Sequence, residues 1–276
     1  VRHGGKRKAG EASGWALLRG VLVAAMAVVL AGVPGVAPAA ESRAQARIVG
    51  GTPTSTDRYP WMAALVETSG RQFCGGTLVR PTKIVTAAHC TFETGTDRSR
   101  APSSLRAVLG RTDLRKQGGV VAEIEHVWVH PDYRGFTEGA DVAVLTLRAP
   151  VRQPTLPMVG ATDTAPYRPG TRGQVLGWGR TSESGDPSPV LRGVRIPVNG
   201  DAECANAYPR FDSAEMFCAG APGGGHDACA GDSGGPFVVG GRLVGVVSFG
   251  TGCGRPDYPG VYTRLAGYVD DVAAQL

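Results

Sequence analysis

The sequence predicts an all-β protein: two β units of similar size, with a seam near residues 150–165, followed by one short C-terminal helix. Three observations carry this. Gly and Pro, 41 and 20 of 276 residues, exceed a fifth of the chain, as in a turn-rich fold. Short Val-rich stretches of strand length recur between turns of Gly, Pro, Asp and Ser. Helical periodicity emerges only in the last ten residues. The glycines follow no three-residue period, which excludes collagen, and the 42 % hydrophobic content excludes disorder.

Taken in order, the chain opens with a basic lead. It continues into a run of thirteen apolar residues, VLVAAMAVVLAGV (21–33), and the small-x-small pattern APA (37–39). This predicts a secretory signal peptide over 1–39 and an exported, extracellular protein. The apolar run is too short for a membrane anchor, which needs about 20 residues. The strand candidates are WMAALVE (61–67), GTLVRPTKIVTAA (76–88), SLRAVLG (104–110), VVAEIEHVWVH (120–130) and DVAVLTL (141–147). After a Pro-rich passage come RGQVLGWG (172–179), VLRGVRIPV (190–198), PFVVGGRLVGVVSFG (236–250) and GVYTRL (260–265). In the closing GYVDDVAAQL, Tyr268, Val269, Val272 and Leu276 share a helical face. Closing each β unit into a barrel would remove its edge strands, but the pattern alone does not choose barrel over sandwich.

The formal charge of +5 belongs to the leader. Residues 1–47 hold seven of the 29 Lys and Arg but two of the 24 Asp and Glu, which leaves 22 of each sign in the remainder. A basic groove for nucleic acid therefore loses its simplest support. All six cysteines, at 74, 90, 204, 218, 229 and 253, follow the leader. In an exported chain an even count predicts three disulfides, for which fifteen pairings exist. With no CxxC and four histidines after the leader, no zinc site is expected.

Three separated stretches bear chemistry together: VTAAHC (85–90), DVAVLTL (141–147) and HDACAGDSGGPF (226–237). A serine nucleophile needs a base to take its proton, and an imidazole base needs a third group to fix its tautomer and favour its charged form. His89, Asp141 and Ser233 are the residue types for those roles. Each is unremarkable alone; their flanks make the case. With IVGG (48–51), GWG (177–179), VSFG (247–250) and PGVYT (259–263), the chain from 48 to 276 resembles the chymotrypsin/trypsin family of serine endopeptidases. The order His, Asp, Ser is also that family's.

The resemblance implies a fold of two six-stranded antiparallel β-barrels with a C-terminal helix, the first over about 48–158 and the second over about 159–276. The site would lie in the crevice between them. It implies that Ser233 attacks a carbonyl, that His89 accepts and returns the proton, and that Asp141 orients His89. The oxyanion would be bound by the backbone N–H groups of Gly231 and Ser233, a kind of contact worth about 3–4 kcal/mol per donor. It implies a short activation propeptide, 40–47, cut between Arg47 and Ile48 so that the new α-amino group pairs with Asp232. Asp227 would form the floor of a primary pocket walled by Ala228, Ser248, Phe249, Gly250 and Gly260, with Tyr208 near its base. A buried carboxylate there selects Arg or Lys. Ala228 lacks a hydroxyl to serve a lysine ammonium, so Arg, which can fork onto Asp227, is expected to be preferred.

The implied disulfides are Cys74–Cys90, Cys204–Cys218 and Cys229–Cys253. No cofactor or metal is implied. The segment RTDLRKQGG (111–119) is too poor in acidic oxygens for the family's calcium loop. The implied partners are protein or peptide substrates with Arg or Lys at the cleaved bond and proteinaceous protease inhibitors, acting on a monomer. The overall likeness leans toward secreted actinobacterial trypsins.

Overall fold

The computed structural model describes residues 48–276; the expected signal peptide and propeptide, Arg47 included, lie outside the described residues. The chain begins with the two-residue strand β1 (Thr52–Pro53). Six strands then form a closed antiparallel barrel: β2 (Met62–Glu67), β3 (Gln72–Arg80), β4 (Lys83–Thr86), β5 (Leu105–Leu109), β6 (Val120–Val129) and β7 (Ala143–Leu147), in the order β2-β3-β4-β7-β6-β5. Each coincides with a Val-, Leu- or Ile-rich stretch whose apolar side chains enter the core, among them Leu65, Leu78, Ile84, Leu109 and Ile124. Pro81-Thr82 divides the long stretch 76–88 into β3 and β4.

The second half forms one sheet from β8 (Arg172–Gly177), β9 (Arg192–Pro197), β10 (Met216–Ala219), β11 (Pro236–Val239), β12 (Arg242–Phe249) and β13 (Gly260–Arg264), joined by β1. Its order is β1-β9-β8-β11-β12-β13-β10, seven strands and open. This corrects the expectation of a second six-stranded closed barrel. Closure would need β9 to pair along β10, and what joins them is one bridge, Val198 to Ala219. The reason is local. Pro197 ends β9 without an N–H to give, and the chain turns at Asp201 into helix α1 (Asp201–Ala207). Meanwhile β1 pairs with Arg192 and Gly193 of β9 and adds the seventh strand.

The C-terminal helix α2 (Val269–Ala273) is shorter than its sequence pattern, and buries Tyr268, Val269 and Val272. Helix α1 was not foreseen. It has no periodic apolar face, buries only Cys204, and carries Asp201 and Glu203 in its first turn, where the helix dipole favours them. One contiguous core runs through barrel and sheet. At its sheet end Phe217 stacks on Tyr262 at 5.2 Å and meets Phe237 edge-on at 5.1 Å.

Strand register brings the chemistry-bearing loops together. Thr86, the last residue of β4, pairs with Ala143, the first of β7, so His89 and Asp141 leave the barrel at the same end. In the sheet, Pro236 opposes Val246 and Phe249 opposes Val261. Ser233, Ser248 and the Gly250 and Gly260 backbones therefore gather at one end of β11, β12 and β13.

Candidate active site

Asp141 is buried at 2 % exposure and its carboxylate is fully engaged. One oxygen accepts the His89 backbone N–H at 2.9 Å; the other lies 2.8 Å from His89 Nδ1 and also accepts the Ser248 hydroxyl. Burial works against both charged forms. The mutual attraction and hydrogen bonds nevertheless hold the Asp141 carboxyl below the ordinary carboxylate range and the His89 imidazole above its ordinary 6.5. This arrangement fixes the imidazole with Nδ1 toward the acid and leaves Nε2 for a reacting proton.

Ser233 reaches the same place from the sheet. The Gly75 N–H donates to its carbonyl at 2.7 Å, and the neighbouring Cys74 is disulfide-bonded to Cys90, next to His89. Ser233 Oγ and His89 Nε2 share no hydrogen bond; the sulfur of Cys90 lies 3.8 Å from Nε2. The small residues around Ser233 have a steric purpose. Gly234, at φ 76°, lies so close to Thr86 and the Gly75 carbonyl that a Cβ would collide with both. The backbone N–H groups of this loop alternate: Asp232 donates to Cys229, Gly234 to Val247 and Gly235 to Asp232. Those of Gly231 and Ser233 have no partner among the described residues. Gly231, at φ 97°, is held through its carbonyl, which accepts from Gln72 Nε2 at 2.8 Å.

A cavity of about 310 Å³ runs beside Ser233 and is lined by Asp227, Ala228, Cys229, Ala230, Ser248, Phe249, Gly250, Gly260 and Tyr262, among others. Asp227 is 3 % exposed. Its carboxylate accepts two backbone N–H groups, Ala228 at 2.8 Å and Gly254 at 3.1 Å, and pairs with no cationic side chain among the described residues. Burial pushes its pKa up to about 7 against those two bonds. A Cβ on Gly260 would stand 2.5 Å from Asp227 Oδ1, so a larger residue would obstruct the carboxylate. Phe249 lines the cavity and lies 6.0 Å from Phe136, whose ring is in turn 5.9 Å from His89. Tyr208 stands behind Phe249 and donates to the Pro259 carbonyl.

The six cysteines are paired Cys74–Cys90, Cys204–Cys218 and Cys229–Cys253, the last joining two walls of the cavity. Ile48 is fully buried, and the Val49 carbonyl accepts the Asp227 N–H at 3.1 Å. His226 packs against Gly50. Asp232 is completely buried and accepts the Gly179 N–H at 2.7 Å and the Cys229 N–H at 2.9 Å. No cation pairs with it among the described residues, and burial raises its pKa to about 7.

A family model described as Trypsin matches residues 48–272. The chain belongs to the trypsin family. It is 45 % identical over 229 residues to Trypsin from Saccharopolyspora erythraea, covering 83 % of this chain and 98 % of that protein. It is 36 % identical to Trypsin eta from Drosophila melanogaster (86 % of this chain, 91 % of that protein). It is 38 % identical to Vitellin-degrading protease from Bombyx mori (80 % and 82 %). The chain is thus a trypsin-like serine endopeptidase, related to an actinobacterial trypsin.

Two residues of this trypsin-family site escaped the sequence reading. Gln72, between ordinary polar and aromatic neighbours, anchors Gly231 across 159 residues. Glu183 lines the cavity and forms an ion pair with Arg255. Neither lies in a chemical motif; only the fold brings each to the site. Among the described residues no helix is long and apolar enough to cross a membrane.

Proposed function

We propose that this trypsin-family enzyme is an exported endopeptidase that cuts on the carboxyl side of Arg in preference to Lys. We propose further that it is made as an inactive precursor opened between Arg47 and Ile48. The observation that carries the specificity is Asp227, a buried carboxylate lining the cavity beside Ser233, with no cationic partner among the described residues. A substrate guanidinium would supply that charge and make forked hydrogen bonds. Ala228 offers no hydroxyl to a shorter ammonium group.

In this reading Ser233 Oγ attacks the carbonyl carbon of the bound Arg while His89 Nε2 takes its proton. The tetrahedral oxyanion forms against the free N–H groups of Gly231 and Ser233. As the intermediate collapses, the imidazolium gives its proton to the departing amine. Water then enters by the same path and releases Ser233 from the acyl group. Asp141 keeps the imidazole aligned and favours its charged form throughout.

The precursor reading rests on Asp232. A buried carboxylate with a pKa near 7 and only neutral donors around it is poorly compensated at neutral pH. An α-amino group created at Ile48 would supply a cation, and the pairing would order the neighbouring Gly231–Ser233 loop. Signal and propeptide suit export, as do three disulfides.

The specificity is tested by kcat/KM on two peptide amides that differ only in Arg or Lys at the cleaved bond. A preference for Arg of about tenfold is expected from the loss of one hydrogen-bonding partner for Lys. Equal values, or a preference for Lys, would reject it.

A further inference from the structure

Ala140, immediately before Asp141, has a φ of 49° and is 2 % exposed. An L-residue with a Cβ resists this left-handed shape and keeps it only where the surroundings impose it. The Ala140 N–H donates to the hydroxyl of Tyr268 at 2.8 Å, a contact spanning 128 residues between the Asp141 loop and the C-terminal segment. The Ala140 carbonyl accepts the Val142 N–H at 2.8 Å, closing the turn on its other side.

Tyr268 is itself fixed. It is 6 % exposed, and its ring meets His130 edge-on at 5.0 Å. The Glu215 carboxylate packs directly under Gly139, where a Cβ would displace it, and its charge acts on the same hydroxyl. Burial, reinforced by the charges of Glu215 and Asp212 and opposed by the Ala140 bond, keeps the phenol protonated well above its ordinary range. The oxygen therefore remains a neutral hydroxyl that accepts from Ala140. Behind it, His130 Nε2 lies 3.4 Å from Asp271, and its Nδ1 accepts the Asp132 N–H at 3.2 Å.

We propose that Tyr268 is a positioning residue for the Asp141–His89 pair. Its hydroxyl holds Ala140 in the shape that aims the Asp141 carboxylate at the imidazole. The second half of the chain would thus orient an acid delivered by the first. The proposal rests on the reading of His89, Asp141 and Ser233 as the reacting triad.

The test compares Tyr268→Phe, Tyr268→Phe/Ala140→Gly and the parent, each matured from the full chain. In Tyr268→Phe, kcat should fall about 10- to 100-fold, the effect of a misplaced catalytic group, with KM for an Arg amide within about twofold. The acid limb of kcat/KM should move to lower pH, because a displaced Asp141 no longer favours the His89 imidazolium. Glycine adopts the left-handed shape without help, so the double variant should regain most of the lost kcat and return the acid limb toward its parental position. Two outcomes overturn the proposal: unchanged kcat and acid limb in Tyr268→Phe, whatever its melting temperature, or a lower kcat with an unmoved acid limb that the second change does not restore. Asp141→Asn made in parallel separates the two levels. If it leaves kcat and the acid limb intact, the triad reading has failed and the positioning role falls with it.

Discussion

Three aspartates are buried at the site, one held by the barrel and two by the sheet, and the protein satisfies them in opposite ways. On the barrel side Asp141 meets an imidazole and a hydroxyl, and its carboxyl is held below the ordinary range. On the sheet side Asp227 and Asp232 are just as buried, yet among the described residues each accepts only two backbone N–H groups, and both are pushed to about 7. Burial is common to all three, so the difference lies in the partner. The barrel brings its own base to its acid. The sheet keeps two acids without a cation among the described residues; in the proposed function a substrate side chain would serve one and a newly made chain terminus the other.

The sharpest way to break this contrast is to neutralise the pocket acid. Asp227→Asn should lower kcat/KM on Arg substrates by about 10²–10³-fold, the cost of removing one member of a buried charge pair. It should also erase a pH dependence. In the parent, a cationic amidine inhibitor should bind about tenfold more weakly per pH unit as pH falls below about 7, because Asp227 must give up a proton to receive it. Inhibition constants measured from pH 5 to 8 check this; a flat profile in the parent would remove Asp227 from the pocket's chemistry.

A smaller effect separates the two sheet-side acids from Asp141. The folded pKa of Asp232 lies above the ordinary 3.8, so the native precursor binds more protons than the unfolded chain, and stability falls as pH rises from about 4 to 7. Asp232→Asn in a precursor carrying Arg47→Gln should therefore gain stability at pH 7.5, by about 2–4 kcal/mol, with little gain at pH 4. Asp141 has the opposite sign. Its lowered pKa contributes stability present above its ordinary pKa and lost as pH falls through the lower folded value. Denaturant midpoints at the two pH values, for the Asp232→Asn precursor and its parent, decide the matter.

The strands were legible because Val-rich stretches bounded by turn residues can hardly do anything else, and PFVVGGRLVGVVSFG became the β11–β12 hairpin turning at Gly240 and Gly241. The open edge of the sheet was not legible. β1 is two residues long and contains Pro53, β10 is four residues after a polar turn, and their pairing is settled by where the rest of the chain has already gone. At the site, His89, Asp141, Asp227 and Ser233 stood out through their flanks. Gln72, Glu183 and Tyr268 did not, because their partners lie 159, 72 and 128 residues away and no local pattern marks a side chain for so distant a contact.

The most direct test of a sheet side waiting for external charge is the rate at which Ser233 is labelled by a phosphonate carrying a guanidino side chain. Chain processed to begin at Ile48 would be compared with precursor blocked by Arg47→Gln. Fast labelling of the processed form, slower by about 10³-fold in the blocked form and abolished by Ser233→Ala, is the expected result, with the loss reflecting an oxyanion loop left unformed. Equal rates in the two forms would contradict it.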